Sequence, residues 1–567
     1  MTIKNFIPFT GIFTYPIGVL LFRMILMAFE SAFVLPRPAQ LFVVYGLPII
    51  FPVIITLTNI ERKQRGQTDF SFSEVYGLSK KDEKHSKAYF DAAYPDVPEK
   101  FASKIPTGLV IGKHKGKYVY VPNISGSAYN AIIVGSPGSG KSVLLLSIIY
   151  SMMFADEISK KAKVTAKRKY NYYMVDIKGE LYEKILGIKG KDYDAKKYTD
   201  LQVVQPSNRN SYGWDIYYRI RKEDVTETEI IKTVSDIADA LIMESNGDNA
   251  YFIDNAKKIL SGVLYYYIKH GVEFLESIQI LMRSPLDKLL ADIVEDARGK
   301  MMGVVIDKLA GFVGKEGNNS VGDIETTLKT YLEVFSYPDI AYCLNDNPNK
   351  TSPAALDDGK TNLDIAIEES MLGVYQPLFR LVSMQILRHC ESNFHEDDDR
   401  YTILYLDEAA RIGKINGIDS AFATLRSKHT AIALFFQSIS QFKDIYPEQK
   451  ANTLLNLCEV KVFMSGSGDR DTTEYVKAMA GDYDAVKMSY KHKGFFGGKS
   501  DGTYSPEKRP IVDAKTMMQL REKNEAIAFI YGRYVRCKKI KYYQDPYIAP
   551  ILERRNDEIK NKKMERR

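Results

Sequence analysis

Cysteine and histidine are scarce in this chain of 567 residues, which holds four of the first and seven of the second. Cys343, Cys390, Cys458 and Cys537 lie far apart, with no pair at metal-ligand spacing, and no HExxH run occurs. These absences exclude a disulfide-stapled scaffold and a zinc ribbon, give a structural metal site no support, and fit a reducing compartment. A strong charge of one sign is also missing. Lys and Arg number 78 against 71 Asp and Glu, a net charge of +7. That permits a nucleic-acid or anionic-membrane partner without demanding one. No internal repeat is visible. What is present is ordinary globular material, 45% hydrophobic and 26% charged, which excludes a mainly disordered chain. The length is too great for one core, so two or three lobes are expected.

The N-terminus departs from this average. Leu41 to Ile60 carries no charge and is long enough to cross a bilayer. Phe6 to Phe22 is also uncharged, and apolar character continues past Arg23 to Leu35, with Glu30 near the far end. Pro36-Arg37-Pro38 separates the two stretches as a turn, and Glu61-Arg62-Lys63-Gln64-Arg65 follows the second. The positive-inside rule places that basic cluster, and Lys4, in the cytoplasm. Residues 1–65 therefore read as a two-helix transmembrane hairpin anchoring a cytoplasmic body. A cleaved signal peptide and a buried hairpin of a soluble domain are the competing readings.

Residues 66–106 are polar and read as a linker. An α/β pattern begins at 107. Lys117–Val121 alternates like an exposed strand, and Asn130–Val134 and Tyr170–Val175 read as buried parallel strands. Val143–Phe154 has the continuity of a buried helix, and Lys160–Lys169 is a basic loop. From 217 to 369 apolar residues recur at helical spacing, as in Ile230, Ile231, Val234, Ile237, Ala238 and Leu241, which indicates an inserted all-α domain. Strand patterns resume between 370 and 550, at Tyr401–Leu406, Ala431–Phe436, Val460–Ser465 and Ala526–Tyr531. The charged tail, 551–567, is expected to fray or lie on the surface.

Three local patterns carry chemistry. Gly135-Ser136-Pro137-Gly138-Ser139-Gly140-Lys141-Ser142 satisfies G-x-x-x-x-G-K-[ST]. Its glycines let backbone N–H groups curl around a phosphate at a helix N-terminus. Lys141 is expected to reach the β- and γ-phosphates and Ser142 to hold Mg²⁺. Thr402 to Leu406 is strand-like and ends in Asp407-Glu408. Asp407 is the second candidate for Mg²⁺. Glu408 is the candidate base for the attacking water, the role that separates an ATPase from a passive sensor. The third strand, Ala433–Phe436, ends at Gln437, which either senses the γ-phosphate or lytic water or caps the next helix. Arg411 and Arg426 follow the acidic pair, and Arg426 is the candidate that completes a neighbouring subunit's site.

At these motifs the sequence resembles the TraG/TraD-like coupling ATPases of type IV secretion and conjugation. The blocks occur in the family's order: the apolar hairpin, GSPGSGKS from Gly135, VDIKGELY from Val175, LDEAARIGKI from Leu406, FQSISQF from Phe436, GDRDTTEYV from Gly468 and KRPIVDAKTMMQL from Lys508. Asp176, Lys178, Gly179 and Glu180, together with the pairing of Leu406-Asp407-Glu408 with Gln437-Ser438, are the family-specific parts. Two departures stand out: Tyr212-Gly213-Trp214-Asp215 replaces the usual Asn-Pro pair, and Phe252 replaces the usual tryptophan. The resemblance implies an α/β fold with a RecA-like P-loop NTPase domain, a parallel-rich central sheet and an inserted all-α domain. It further implies ATP and Mg²⁺, a homo-hexamer at the bacterial inner membrane, and delivery of a relaxase with single-stranded DNA, or of protein effectors, to type IV secretion channel proteins.

Two other functions compete. A double-stranded DNA pump of the chromosome-partitioning or packaging kind is expected to carry a DNA-reading module, and only a short charged tail follows Pro550. A low-turnover, nucleotide-gated recruitment adaptor needs no base at Glu408. Independently, Lys160–Lys169 and Tyr265-Tyr266-Tyr267 are candidate contacts for a nucleic-acid strand, against the plainer readings of a solvated loop and one apolar helix face.

Overall fold

Seven short segments align side by side in one direction to form the centre of the protein. In chain order they are β1 (Asn130–Val134), β2 (Lys169–Asp176), β3 (Leu201–Val204), β4 (Asn362–Ala366), β5 (Arg400–Leu406), β6 (Thr430–Phe436) and β7 (Cys458–Phe463). Their spatial order is β7-β1-β6-β5-β2-β4-β3, and every neighbouring pair is parallel. Parallel strands buried on both faces carry apolar residues throughout, and every residue of β6 is buried. Beyond β7 the direction reverses. β8 (Glu525–Ile530) pairs antiparallel with β7 and β9 (Arg533–Lys539) with β8. Val110–His114, Lys117–Tyr120 and Ala102–Ser103 complete a sheet of twelve strands.

The computed structural model describes residues 88–564 except 107, 123–127, 164–168, 244–249, 315–318, 393–399, 466–467 and 490–502, together with 19–20 and 42–46. The chain divides into two units. Residues 1–91 with 484–507 form the smaller, and 92–483 with 508–567 the larger, which contains the whole sheet. Most of both apolar N-terminal stretches lies outside the described residues. Among the described residues no single helix is long and apolar enough to cross a membrane.

The helical insertion begins at Thr226, whose side chain accepts from the Glu229 N–H while the Glu229 carboxylate accepts from the Thr226 N–H. This capping box starts α2 (Glu227–Leu241), which packs on α3 (Ala250–Lys269), the long central helix of the insertion. Further helices run from Phe274 to Ala341. Two short strands close the neck: Gly213 pairs with Lys350 and Trp214 with Thr351. Trp214 is fully buried there, and its Nε1–H donates to Gln385 Oε1 at 2.8 Å. A Cβ at Gly213 would lie 2.4 Å from the Cys343 carbonyl oxygen, so only glycine permits the approach. The Tyr212–Asp215 departure is thus a structural clasp.

Two stretches differ from the sequence reading. Asn362–Ala366 falls inside the span read as all-α, yet it is the sheet strand β4. Its Asp364 breaks the apolar run that would have marked it. Ala102–Ser103, read as linker, joins the sheet edge. Of the two expectations for the tail, Ile548–Met564 meets the second: it is a surface helix, longer than the charged stretch alone indicated and anchored through buried Ile548 and Ile551.

Candidate nucleotide site

The carboxyl ends of β1, β6 and β5 are adjacent, because Val134 pairs with Phe436 and Leu434 with Leu406. At roughly 4.8 Å between strands, Gly135, Gln437 and Asp407 share one sheet edge within about 10 Å. The sequence thus leaves the phosphate loop, the glutamine and the acidic pair on three neighbouring strand ends, where α/β sheets bind ligands.

The loop itself is built by its glycines. Gly138 and Gly140 have φ of +72° and +100°, a region that side chains resist. A Cβ at Gly135 would lie 2.5 Å from Ser139 Oγ and 3.1 Å from Met464 Cβ. The Gly135 N–H donates to the Phe436 carbonyl at 3.1 Å, and the Ser136 and Ser465 hydroxyls lie 2.7 Å apart. α1 (Lys141–Met153) starts directly from Gly140, and among its buried residues is Lys141. Lys141 Nζ donates to the Gly135 carbonyl at 2.6 Å, across the loop. Burial lowers its pKa, while the Asp407 and Glu408 carboxylates push it back up. Ser142 follows, exposed. Pro137 is exposed at the crown of the turn.

Asp407 is 9% exposed, and burial, then the Glu408 and Asp176 charges, push its pKa up to about 6. Glu408 is held in the left-handed region at φ +46°, and its N–H donates to Asp407 Oδ1 at 3.1 Å. Arg411 Nη1 sits 3.4 Å from Glu408 Oε2 and 2.5 Å from Glu369 Oε1. This arginine thereby anchors the carboxylate from the following turn. The donor set fits Mg²⁺ held mainly by phosphate oxygens, with one hydroxyl and one carboxylate from the protein. Among the described residues no group of three or more His, Cys, Asp or Glu is placed to hold a metal by itself.

Asp176, at the end of β2, accepts from the backbone N–H groups of Leu181 at 2.6 Å, Lys178 at 3.3 Å and Tyr182 at 3.4 Å. The family-specific Asp-x-Lys-Gly-Glu block is therefore a turn that caps the helix Leu181–Leu186. Behind it Asp364 is fully buried and neither carboxylate oxygen has a hydrogen-bond partner. Burial, then the Asp176 charge, push its pKa well above the usual carboxylate range.

Burial also pushes Asp176 up to about 6 against those backbone bonds. An unfolded aspartate titrates near 3.9. The folded state therefore holds a proton that the unfolded state releases between about pH 4 and 6. Its contribution is complete below about 4 and lost as pH rises through about 6, up to about 3 kcal/mol. Asp407, also pushed up to about 6, titrates in the same window, so Asp176→Asn is expected to shrink but not abolish the fall in melting temperature of nucleotide-free protein between pH 4 and 6, as measured by thermal melts at a series of pH values.

Gln437 stands on the sheet edge between the two nucleotide motifs, and its own N–H donates to Gln441 Oε1 at 3.0 Å. Ser438, not Gln437, caps the helix Ile439–Ile445. The GDRDTTEYV block braces that helix: the Ile439 N–H donates to Thr472 Oγ1 at 2.9 Å, and Asp469 accepts from Ser440. Arg426 lies elsewhere. It pairs with Glu459, whose other oxygen accepts the Asn130 N–H at the opposite end of β1. It is half-exposed and outside its own chain's phosphate site. Two residues on the loop escaped the sequence reading. Lys539 Nζ donates to the Ser139 carbonyl at 2.8 Å, and the Arg521 guanidinium lies over Gly138.

The candidate nucleic-acid contacts resolve differently. Tyr265 is buried and bonded to Glu227, and the Tyr266 hydroxyl donates to Asp296 at 2.9 Å. This aromatic run packs within the insertion. Lys160 and Lys161 belong to the helix Ala155–Ala162 rather than to a loop.

Residues 103–567 match the family described as Type IV secretory system Conjugative DNA transfer. The chain belongs to that family. Among its relatives is Protein VirD4 of Rhizobium rhizogenes, 24% identical over 397 residues that cover 67% of this chain and 55% of the relative. Conjugal transfer protein TraG of Rhizobium radiobacter is 24% identical over 284 residues, covering 50% and 44%. The chain spans about half the length of the curated relatives it matches. Among solved structures, plasmid coupling protein TrwB in complex with ADP and Mg²⁺ superposes with a TM-score of 0.58 at 18% identity, covering 79% of this chain and 93% of that one. The unbound coupling protein TrwBdeltaN70 gives 0.57 at 18% identity, covering 77% and 91%. At that identity the likeness is one of fold: the family's P-loop sheet with its helical insertion.

Proposed function

We propose that this chain is a membrane-anchored coupling ATPase. It would use ATP hydrolysis to drive a relaxase–single-stranded DNA complex, protein effectors or both into a type IV secretion channel. The observation that carries this reading is the convergence of Gly135–Ser142, Gln437 and Asp407-Glu408 on adjacent parallel strand ends. Lys141 leaves the Gly135 carbonyl to grip the β- and γ-phosphates, and backbone N–H groups of the loop replace their hydration. Ser142 and Asp407 would hold Mg²⁺, which neutralises the charge that develops on the phosphates. Glu408 orients a water and takes its proton, with Arg411 fixing the carboxylate. Gln437 reads the terminal phosphate and passes its loss to the helix Ile439–Ile445. Arg426, remote from its own site, serves the neighbouring subunit's site in a homo-hexamer. The hairpin 1–65 places the assembly in the inner membrane with its bulk in the cytoplasm.

The test compares parent and Lys141→Ala in two assays: phosphate release by the full chain in lipid, and plasmid transfer from cells carrying each form. Both activities are expected to vanish in the variant. Transfer at parental frequency would overturn the motor reading.

A further inference from the structure

Arg521 and Lys539 reach the phosphate loop from the far end of the sequence. Asp513 caps the helix Ala514–Glu522 by accepting the Thr516 N–H at 2.7 Å, and Arg521 lies in its last turn. The chain then runs through β8 and turns into β9, whose last residue is Lys539. Both cations end on the crown of the loop. Lys539 Nζ donates to the Ser139 carbonyl at 2.8 Å, and a Cβ placed on Gly138 would come within 3.1 Å of Arg521 Nη2. Among the described residues neither side chain forms an ion pair. Ser139 Oγ, 4% exposed in the same turn, has no hydrogen-bond partner.

Two like charges held together without a carboxylate raise the free energy of the empty site. Burial, then Arg521 and Lys541, lower the Lys539 pKa to about 8, opposed by the Cys537 thiol. An anion beside both would remove that cost, and charge-assisted contacts to phosphate are the strong ones. The Arg521 guanidinium offers a planar fork suited to two phosphate oxygens.

We propose, resting on the nucleotide reading of this loop, that Arg521 and Lys539 are a pair of phosphate-binding cations, additional to Lys141, contacting the diphosphate common to ATP and ADP. Lys141 answers to the terminal phosphates, whereas this pair ties the nucleotide to the carboxy-terminal hairpin. Loss of nucleotide then frees Lys539 to return to the Ser139 carbonyl. The loop and the β8–β9 hairpin so become one unit whose closure depends on occupancy.

The experiment titrates fluorescent ADP into the full chain in lipid nanodiscs, for parent, Arg521→Gln, Lys539→Gln and Lys539→Arg. Each glutamine variant is expected to weaken ADP binding roughly 10-fold, and Lys539→Arg to retain it. Parental affinity should fall between pH 7 and 9 as Lys539 loses its proton. It should stay flat over that range in Lys539→Gln and Lys539→Arg, a difference that a packing role would not produce. A single-stranded oligonucleotide is titrated in parallel. ADP affinity within twofold of the parent in both glutamine variants overturns the proposal, and loss of oligonucleotide binding alone assigns the pair to nucleic acid instead. Failure of the parent itself to bind nucleotide would sink the underlying reading as well.

Discussion

Glu408→Gln is expected to keep ATP bound and to lower turnover by roughly 10²–10⁴-fold, the usual contribution of a positioned general base. The substitution is nearly isosteric. It leaves the Glu408 N–H bond to Asp407 and the phosphate loop untouched. On the proposed reading, what it removes is an acceptor for the water's proton. The backbone supports a functional origin for this position. Glutamate at φ +46° and ψ +46° costs about 1–2 kcal/mol relative to an ordinary helical conformation. Glycine would relieve that cost, so the side chain is retained at the expense of strain. The measurement is steady-state phosphate release beside equilibrium ATP affinity. Turnover within a few-fold of the parent would remove Glu408 from the chemistry. Parent turnover below one phosphate per bound ATP would instead favour a low-turnover adaptor over a motor.

Glu525→Ala is expected to destabilise the protein by about 3–5 kcal/mol, seen as a fall in melting temperature on the order of 10 °C. Glu525 and Arg536 face each other inside the β8–β9 hairpin, 4% and 1% exposed. Arg536 donates to Glu525 Oε2 through Nε at 2.9 Å and through Nη2 at 2.8 Å. The Tyr94 hydroxyl donates to the same oxygen at 3.2 Å, and Lys538 Nζ lies 2.9 Å from Oε1. Arg536 also lies over the Tyr94 ring at 4.5 Å. Removing the carboxylate strands a guanidinium in the interior. The double substitution Glu525→Leu with Arg536→Met removes both charges and is expected to recover most of the loss. If the single variant melts within 2 °C of the parent, the pair carries no stability.

The site was legible where its chemistry is local. Eight consecutive residues make the phosphate loop, and two adjacent carboxylates end β5, so strand–turn signals sufficed to put Lys141, Ser142, Asp407 and Glu408 at neighbouring strand ends. Contacts that join distant stretches left no such trace. Ser465 is 329 residues from Ser136, and Lys539 is 400 from Ser139. A lone lysine ending an alternating strand looks like any surface charge. The fold shows the same division. β1, β2, β5 and β6 announced themselves as apolar runs, whereas Asp364 disguised β4 as part of the insertion. The carboxy-terminal helix was hidden because its sequence is mostly charged and its apolar anchors, Ile548, Ile551 and Leu552, are few. Arg426 shows the limit from another side: its proximity to Glu408 in sequence says nothing of which end of the sheet it occupies.

The paired strands at Gly213–Trp214 and Lys350–Thr351 fasten the start and finish of the helical insertion side by side. A segment whose two ends are stitched together behaves as a cassette. Its interior can be lengthened, trimmed or re-surfaced without pulling the sheet strands out of register. The insertion can therefore vary in length and surface while the sheet beneath stays fixed, and a graft exchanging residues 216–348 is expected to leave the strands of the nucleotide site in register.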